Sequence, residues 1–338
     1  MPSEQEIIEF KNYCYKMSKD KLLFQGAGGN TSIKDDKSLF IKASGKWMND
    51  ALKEEIFVKV NLEKITCDVN KNEFSNIISS INSNLKPSIE TMMHAIMPQR
   101  YIFHMHMIDI LKELVCLDGF KRISNIMKDQ INWIWIDYFT PGPKLAKAIK
   151  TKLRNVAFIP EIIFLQNHGV VLGADSLQKI DLLIKDLKKR FNSKSFNHSL
   201  KPEGENINKY LELSKSIKLI EEKFANILVL NSKHFKYLKK NWALYPDHIV
   251  FLGKKPFVYE KINDFINSMK IGLTPELIFV KNIGVFHSEK FSHAKKVQLK
   301  CYVDLIVRIK NGSILRNLSD NEIDFLTSWE DEKYRTRM

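Results

Sequence analysis

His104 and His106 stand two apart in the run Tyr101-Ile-Phe-His-Met-His-Met-Ile108, and His168 follows much later in Phe164-Leu-Gln-Asn-His-Gly-Val-Val171. The chain has nine histidines in 338 residues, so three in apolar, strand-like settings need a reason. Side chains two apart on a strand point to the same face, so His104 and His106 can chelate one ion together. A third imidazole from the remote Asn167-His168-Gly169 turn completes a three-histidine set. Three protein ligands with one open position is the usual arrangement of catalytic zinc; nickel, cobalt or iron also accept imidazole. The competing reading is three core histidines satisfied by backbone hydrogen bonds, and a His-x-His pair alone does not decide between them. Met105 and Met107 should face the other way, into the core.

Glu90 is the acid–base candidate. It precedes His104 by fourteen residues, at the start of a helix expected from Pro87 and Ser88 onward. A carboxylate beside a metal can bind it or shuttle a proton; the plain alternative is a first-turn glutamate favouring the helix dipole. His94, four residues on, shares its helix face and reads as structural. Gly26-Ala-Gly-Gly-Asn-Thr-Ser32 offers flexible backbone N–H groups and short polar side chains suited to an oxyanion. It lacks the endings of a nucleotide loop and of a dinucleotide fingerprint. Ala43-Ser44-Gly45 adds a second turn that can close on the same anion, with Lys42 or Lys46 nearby. Either loop alone reads equally as a tight turn.

The elements that must hold these residues alternate between the two periodicities. Helices are expected over 4–20, from 86 onward, and over 110–117, 144–153 and 176–190. Strands are expected over 38–43, 57–60, 101–108, 131–136, 161–165 and 170–173. A strand–turn–strand meander at 38–60 favours an antiparallel or mixed sheet. Residues 191–206, rich in Asn, Ser and Lys, read as a linker. Beyond them the pattern predicts a helix over 207–229, a strand over 248–252, a helix over 259–269 and a strand over 277–280. His234, His248, His287 and His293 show no compelling arrangement; Asp247-His248 reads either as a binding pair or, in preference, as an ordinary strand edge. The domain expectation is a metal-binding catalytic domain over 1–195, a linker over 196–206 and a smaller α/β region over 207–338.

A partial repeat joins the two regions. Pro160-Glu-Ile-Ile-Phe-Leu-Gln-Asn-His-Gly-Val-Val171 aligns with Pro275-Glu-Leu-Ile-Phe-Val-Lys-Asn-Ile-Gly-Val-Phe286, with seven of twelve positions identical at an offset of 115. His168 becomes Ile283. The second copy reads as an echo of the first that lacks its ligand.

Composition removes several function classes. Hydrophobic content of 44 % and charged content of 27 % are ordinary for a globular protein. No apolar run is long enough for a membrane span. The polar start Met1-Pro-Ser-Glu-Gln-Glu-Ile7 does not read as a signal peptide. Four scattered cysteines read as free thiols of a reducing cytoplasm. The net charge of +14 is spread over almost every segment without an arginine cluster, so no specific nucleic-acid partner is expected; the general field favours anionic substrates.

Gly29-Asn30, Ala43-Ser-Gly45, Pro87-Ser-Ile-Glu90 with His94, His104-Met-His106 and Asn167-His-Gly-Val170, in that order, closely resemble the motifs of the class II aldolase and adducin head-domain family. The resemblance covers roughly residues 5–195. It implies a three-layer α/β/α fold with a mainly antiparallel central sheet and a homo-oligomer, tetrameric or dimeric. It implies that His104, His106 and His168 hold zinc, that Glu90 is the catalytic acid–base carboxylate, and that Gly29, Asn30, Ser44, Gly45 and Ser88 shape a phosphate site. The implied activity is a carbon–carbon lyase acting on a phosphorylated or otherwise anionic ketose through a zinc-stabilised enediolate. A sugar-phosphate epimerase or dehydratase would use the same ligands, and the noncatalytic adducin branch keeps the fold without them. Ile89 replaces the second serine often found before the glutamate, which removes one hydroxyl from the phosphate cradle. The stretches 242–253 and 275–307 resemble the tail of the long aldolase domain fused to short-chain dehydrogenases; no dehydrogenase module follows in these residues. Family members also draw a catalytic tyrosine from a neighbouring subunit, for which Tyr138, Tyr210 and Tyr245 are the candidates.

Overall fold

The computed structural model describes residues 2–75, 78–81, 83–130, 132–193, 217–220, 224–270 and 275–337. The first sheet holds β1 (Asn30–Lys34), β2 (Ser38–Lys42), β3 (Phe57–Asn61), β4 (Tyr101–Met105), β5 (Trp133–Ile136), β6 (Ile162–Leu165) and β7 (Gly169–Ala174), in the order β3-β2-β1-β4-β7-β6-β5. Every pairing is antiparallel except β5 with β6. The helices of this part are α1 (Glu4–Met17), α2 (Leu62–Asn70), α3 (Thr91–Ile96), α4 (Ile108–Leu114), α5 (Gly119–Ile126), α6 (Pro143–Arg154) and α7 (Leu177–Arg190).

Strand alternation divides the sheet into two buried faces. Phe103, Met105, Phe164, Val170 and Leu172 enter one core with residues of α1, α4 and α7. Ile102, Ile134, Ile136, Ile163 and Val171 enter another with Met93, Leu145 and Ile149 of α3 and α6. The result is the expected three-layer α/β architecture. It also fixes the histidines: Met105 and Met107 go to the first core, and His104, two places from Ile102, stands on the α3–α6 side.

A second sheet, β8 (Ile217–Leu219), β9 (Phe257–Tyr259), β10 (Leu277–Val280) and β11 (Gly284–Ser288), runs β8-β11-β10-β9. With it come α8 (Ile227–Leu230), α9 (Ser232–Lys240), α10 (Pro246–Leu252), α11 (Ile262–Lys270), α12 (His293–Arg308), α13 (Asp320–Ser328) and α14 (Glu330–Arg337). Phe279 and Val285 of this sheet and Leu299, Tyr302 and Ile306 of α12 belong to the same apolar core as Phe103 and Phe164, so both sheets rest on one interior.

The echo is structural as well as textual. His104 pairs with Val171, and Leu219 pairs with Phe286, at the same offset of 115 on both strands. Both hairpins turn through an asparagine in the left-handed region, φ 52° at Asn167 and 58° at Asn282. Each of those backbone N–H groups donates to a carbonyl of a preceding helix, Leu114 at 3.1 Å and Val229 at 3.0 Å. In each sheet one neighbouring strand joins in parallel, β5 or β9.

Two expectations fail here. Residues 248–252 are helical, part of α10, although their Ile-Val-Phe-Leu run is rich in strand formers. Pro246 opens the helix and Gly253 closes it at φ 93°, its N–H bonded to the Ile249 carbonyl at 3.0 Å; end signals and burial override propensity. Within the helix expected over 207–229, Ile217–Leu219 form β8 instead, since pairing with β11 captures that segment; residues 207–216 and 221–223 lie outside the described residues. The whole linker expected over 196–206, and Tyr210, lie outside the described residues.

Candidate metal centre

β4 and the β6–β7 hairpin deliver the three histidines. Their offered nitrogens lie within 4.8 Å of one another, and all three side chains are buried. His104 Nε2 is 3.1 Å from His106 Nε2. The outer ring nitrogen indicates the tautomer of two of them. His104 Nδ1 lies 3.2 Å from the Val170 carbonyl, to which it can only donate, so its Nε2 is bare. His106 Nδ1 lies 3.3 Å from the Asp247 carboxylate, which leaves Nε2 of that ring bare too. Two lone pairs at this separation repel unless a cation stands between them, and imidazole nitrogens on a tetrahedral zinc are roughly 3.3 Å apart. The donor set therefore fits a divalent transition metal.

The close packing needs Gly169 between the rings. A Cβ there would stand 2.5 Å from the Met105 carbonyl oxygen and 3.1 Å from atoms of both His104 and His106.

Glu90 caps the N-terminus of α3 by position, yet its side chain makes no cap hydrogen bond. It turns into the cluster instead, Oε2 3.4 Å from His104 Nε2 and Oε1 3.5 Å from His168 Nε2. The helix-dipole reading of Glu90 is thus outweighed by contacts across the sheet. Asn30 Nδ2 donates to Glu90 Oε2 at 2.8 Å. Its Oδ1 must then accept from His94 Nε2, and His94 Nδ1 accepts from Ser32 Oγ at 2.7 Å. His94 is therefore a neutral brace for the carboxylate's neighbour, and burial lowers its pKa to about 3. Burial alone would raise the Glu90 carboxyl, but the facing imidazoles of His104 and His168 and the Asn30 amide outweigh it and bring it to about 2. Burial lowers His104 to about 4 and His168 to about 3 against the pull of Glu90. At neutral pH an ionised Glu90 carboxylate faces neutral His104 and His168 rings, the protonation state that metal binding requires.

The residues expected to bind an anion line one cavity with this cluster. Gly29, Asn30, Ser44, Gly45 and Ser88 share its walls with Glu90, His106 and His168. The Ala43-Ser44-Gly45 turn is tied to the segment that leads into α3: Ser44 N–H donates to the Lys86 carbonyl at 2.8 Å, and Ala43 bridges Pro87. Ser44 Oγ is buried without a partner among the described residues. Of the two lysines, Lys42 lines the cavity, whereas Lys46 turns out to Glu54 at 2.7 Å. Burial lowers Lys42 to about 7, with Arg335 adding to the effect. Tyr138 and Tyr245 are buried away from these walls; the Tyr245 hydroxyl donates to Cys301 Sγ at 3.1 Å.

Two wall residues were missed from sequence. Asp247, on α10, and Arg335, on α14, enter from the C-terminal region, and Arg335 Nη2 donates to Asp247 Oδ1 at 2.7 Å. Pro246 before Asp247 and Gly253 after it were the available signal for a helix; nothing local marked either side chain as entering the cavity.

A model of the class II aldolase and adducin N-terminal domain matches residues 9–187. A curated relative, the uncharacterized oxidoreductase YuxG of Bacillus subtilis (strain 168), is 22 % identical; the match covers 94 % of this chain and 56 % of that protein, so the chain spans about half the relative's length. Among solved structures, the N-terminal class II aldolase domain of a conserved protein from Thermoplasma acidophilum is 21 % identical with a TM-score of 0.48, covering 56 % of this chain and 93 % of that one. A sugar-phosphate aldolase from Thermotoga maritima is 14 % identical with a TM-score of 0.43, covering 54 % and 92 %. No helix among the described residues is long and apolar enough to cross a membrane.

Proposed function

This chain belongs to the class II aldolase and adducin family, and we propose that it is a zinc-dependent carbon–carbon lyase acting on an anionic ketose, phosphorylated or carrying a comparable acidic group. The observation that carries this reading is the convergence of three imidazoles, one ionised carboxylate and two polar loops on a single cavity. The adducin-like alternative has no use for that convergence.

His104, His106 and His168 would hold the ion, with Glu90 at its edge. When bound, it supplies Lewis acidity that favours charge on a substrate carbonyl oxygen. Glu90 is the acid–base group: in the condensing direction it takes a proton from the carbon beside the carbonyl, and in the cleaving direction it returns one. Asn30 holds the carboxylate in place. The backbone of Gly29 and Gly45, the free Ser44 hydroxyl, Ser88 and Lys42 receive the acidic group, which Lys42 meets as a cation below pH about 7.

Elemental analysis of the purified protein, paired with a screen of ketose phosphates for release of a free aldehyde, tests the reading. About one zinc per chain with aldehyde release supports it. Metal with turnover but no carbon–carbon cleavage transfers the same site to an epimerase or dehydratase. A folded protein that takes up no zinc overturns the enzyme reading. A homo-oligomer is part of the proposal, and sedimentation tests it.

A further inference from the structure

We propose that Asp247 is a positioning residue of the metal centre, contributed by the C-terminal region and held in place by Arg335. This rests on the metal reading above. Asp247 is 1 % exposed, and its Oδ2 stands 3.3 Å from His106 Nδ1. That oxygen makes no hydrogen bond among the described residues, so the His106 ring is the group it faces. A carboxylate on the outer nitrogen of a ligating histidine fixes its ring orientation and its tautomer and increases the basicity of the inner nitrogen.

Three further features show that the contact is built. The second oxygen of Asp247 accepts from Arg335 Nη2 at 2.7 Å, while Arg335 Nη1 donates to Glu332 at 2.7 Å. The guanidinium thus orients the carboxylate without competing for the oxygen that faces His106. Gly28, in the glycine loop, leaves the space for the approach: a Cβ there would lie 2.5 Å from Asp247 Oδ2 and 3.0 Å from His106 Nδ1. Pro246 starts α10 one residue earlier, so the Asp247 backbone is fixed in the first helical turn. His104 takes its outer bond from the backbone of its own sheet, at Val170. The outer nitrogen of His106 instead faces a residue far along the chain, at 3.3 Å, so the aldolase-like part alone leaves that ring without its partner.

The test is metal affinity in the full-length protein, by competition between metal-free protein and a chromophoric chelator for zinc, with cobalt spectra as a second readout. Asp247→Asn keeps the volume and removes the charge; a 10- to 100-fold loss of zinc affinity is expected, on the order seen for such outer partners, with a changed cobalt absorption band. Asp247→Glu should recover part of the loss. Asp304→Asn, a buried carboxylate paired with Lys300 and Arg308 outside the cavity, controls for general damage and should bind zinc normally. Wild-type affinity and spectrum in Asp247→Asn overturn the inference and leave the metal reading standing. Wild-type protein that binds neither ion overturns both. Should Asp247→Asn not fold, Arg335→Lys carries the test: weakened zinc binding supports the inference and unchanged binding overturns it.

Discussion

The β6–β7 and β10–β11 hairpins share a strand register, an asparagine in the left-handed region and a bond from that asparagine to a preceding helix. One carries His168 and faces His104; the other carries Ile283 and pairs its neighbour strand through Leu219. The backbone frame is therefore independent of the chemistry mounted on it. What separates the copies is the filling around the frame. The first copy closes on imidazoles, Glu90 and the polar loops, whereas Ile283 and Leu219 pack beside an apolar cluster around Ile278, Val280 and Phe286. α10, from the same C-terminal region as the second copy, brings Asp247 to the first.

The largest expected difference between the copies is metal retention. Alanine at His104, His106 or His168 should reduce zinc from about one per chain to a trace, whereas Ile283→Ala should leave it unchanged, as elemental analysis after gel filtration will read. Glu90→Gln comes next. It keeps the Asn30 contact and the fold but should lower turnover by roughly 10²- to 10⁴-fold, the range for losing an acid–base group; retained turnover would move the proton transfer elsewhere.

Glycine substitution compares the frames themselves. Gly169→Ala drives a Cβ to 2.5 Å from a backbone oxygen, while Gly284→Ala meets only the Leu219 Cδ1 methyl at 2.6 Å, which a side-chain rotation relieves. Denaturant unfolding should show a loss of about 2–3 kcal/mol for the first and under about 1 kcal/mol for the second. Equal losses would mean that the strand pairs are equally rigid about their glycines.

The smallest effect at neutral pH distinguishes two buried histidines. His94 has partners on both nitrogens, and His248 has none among the described residues, lying between Trp242 and Tyr302. His248→Phe should stabilise by about 1 kcal/mol, since no polar group is left unsatisfied; His94→Phe should destabilise. Burial lowers His248 to about 3 from 6.5, so the folded form stays neutral while the unfolded chain takes up a proton below pH 6.5. Stability is therefore lost as pH falls from 6.5 towards 3, by at most about 1.4 kcal/mol per pH unit from this group. Melting curves across that window should be flatter for His248→Phe than for the parent.

The legible parts of the molecule were those whose chemistry and geometry are local. His104 and His106 declare a shared face by their spacing, and the glycine-rich loop and the Ala43-Ser44-Gly45 turn announce backbone suited to close approach. The repeat at an offset of 115 marks the second hairpin in the sequence itself. Asp247 stayed hidden because its role arises only from tertiary packing, and because an apolar β-branched run disguised its helix as a strand. Arg335 lay in a charged, polar segment where an ordinary solvated face is the natural expectation; its burial against Asp247 is set by how α14 docks. Glu90 was identified by its place before the histidines, but the Asn30–His94 brace that steers it depends on the β1–β4 pairing.

The cavity walls are gathered from Asn30, Glu90, His106, His168, Asp247 and Arg335, positions spread over nearly the whole chain. Closing loops of that span is slow compared with forming the helices and hairpins between them. The centre should thus be among the last parts to assemble during refolding, and zinc uptake should lag behind the recovery of the helical signal.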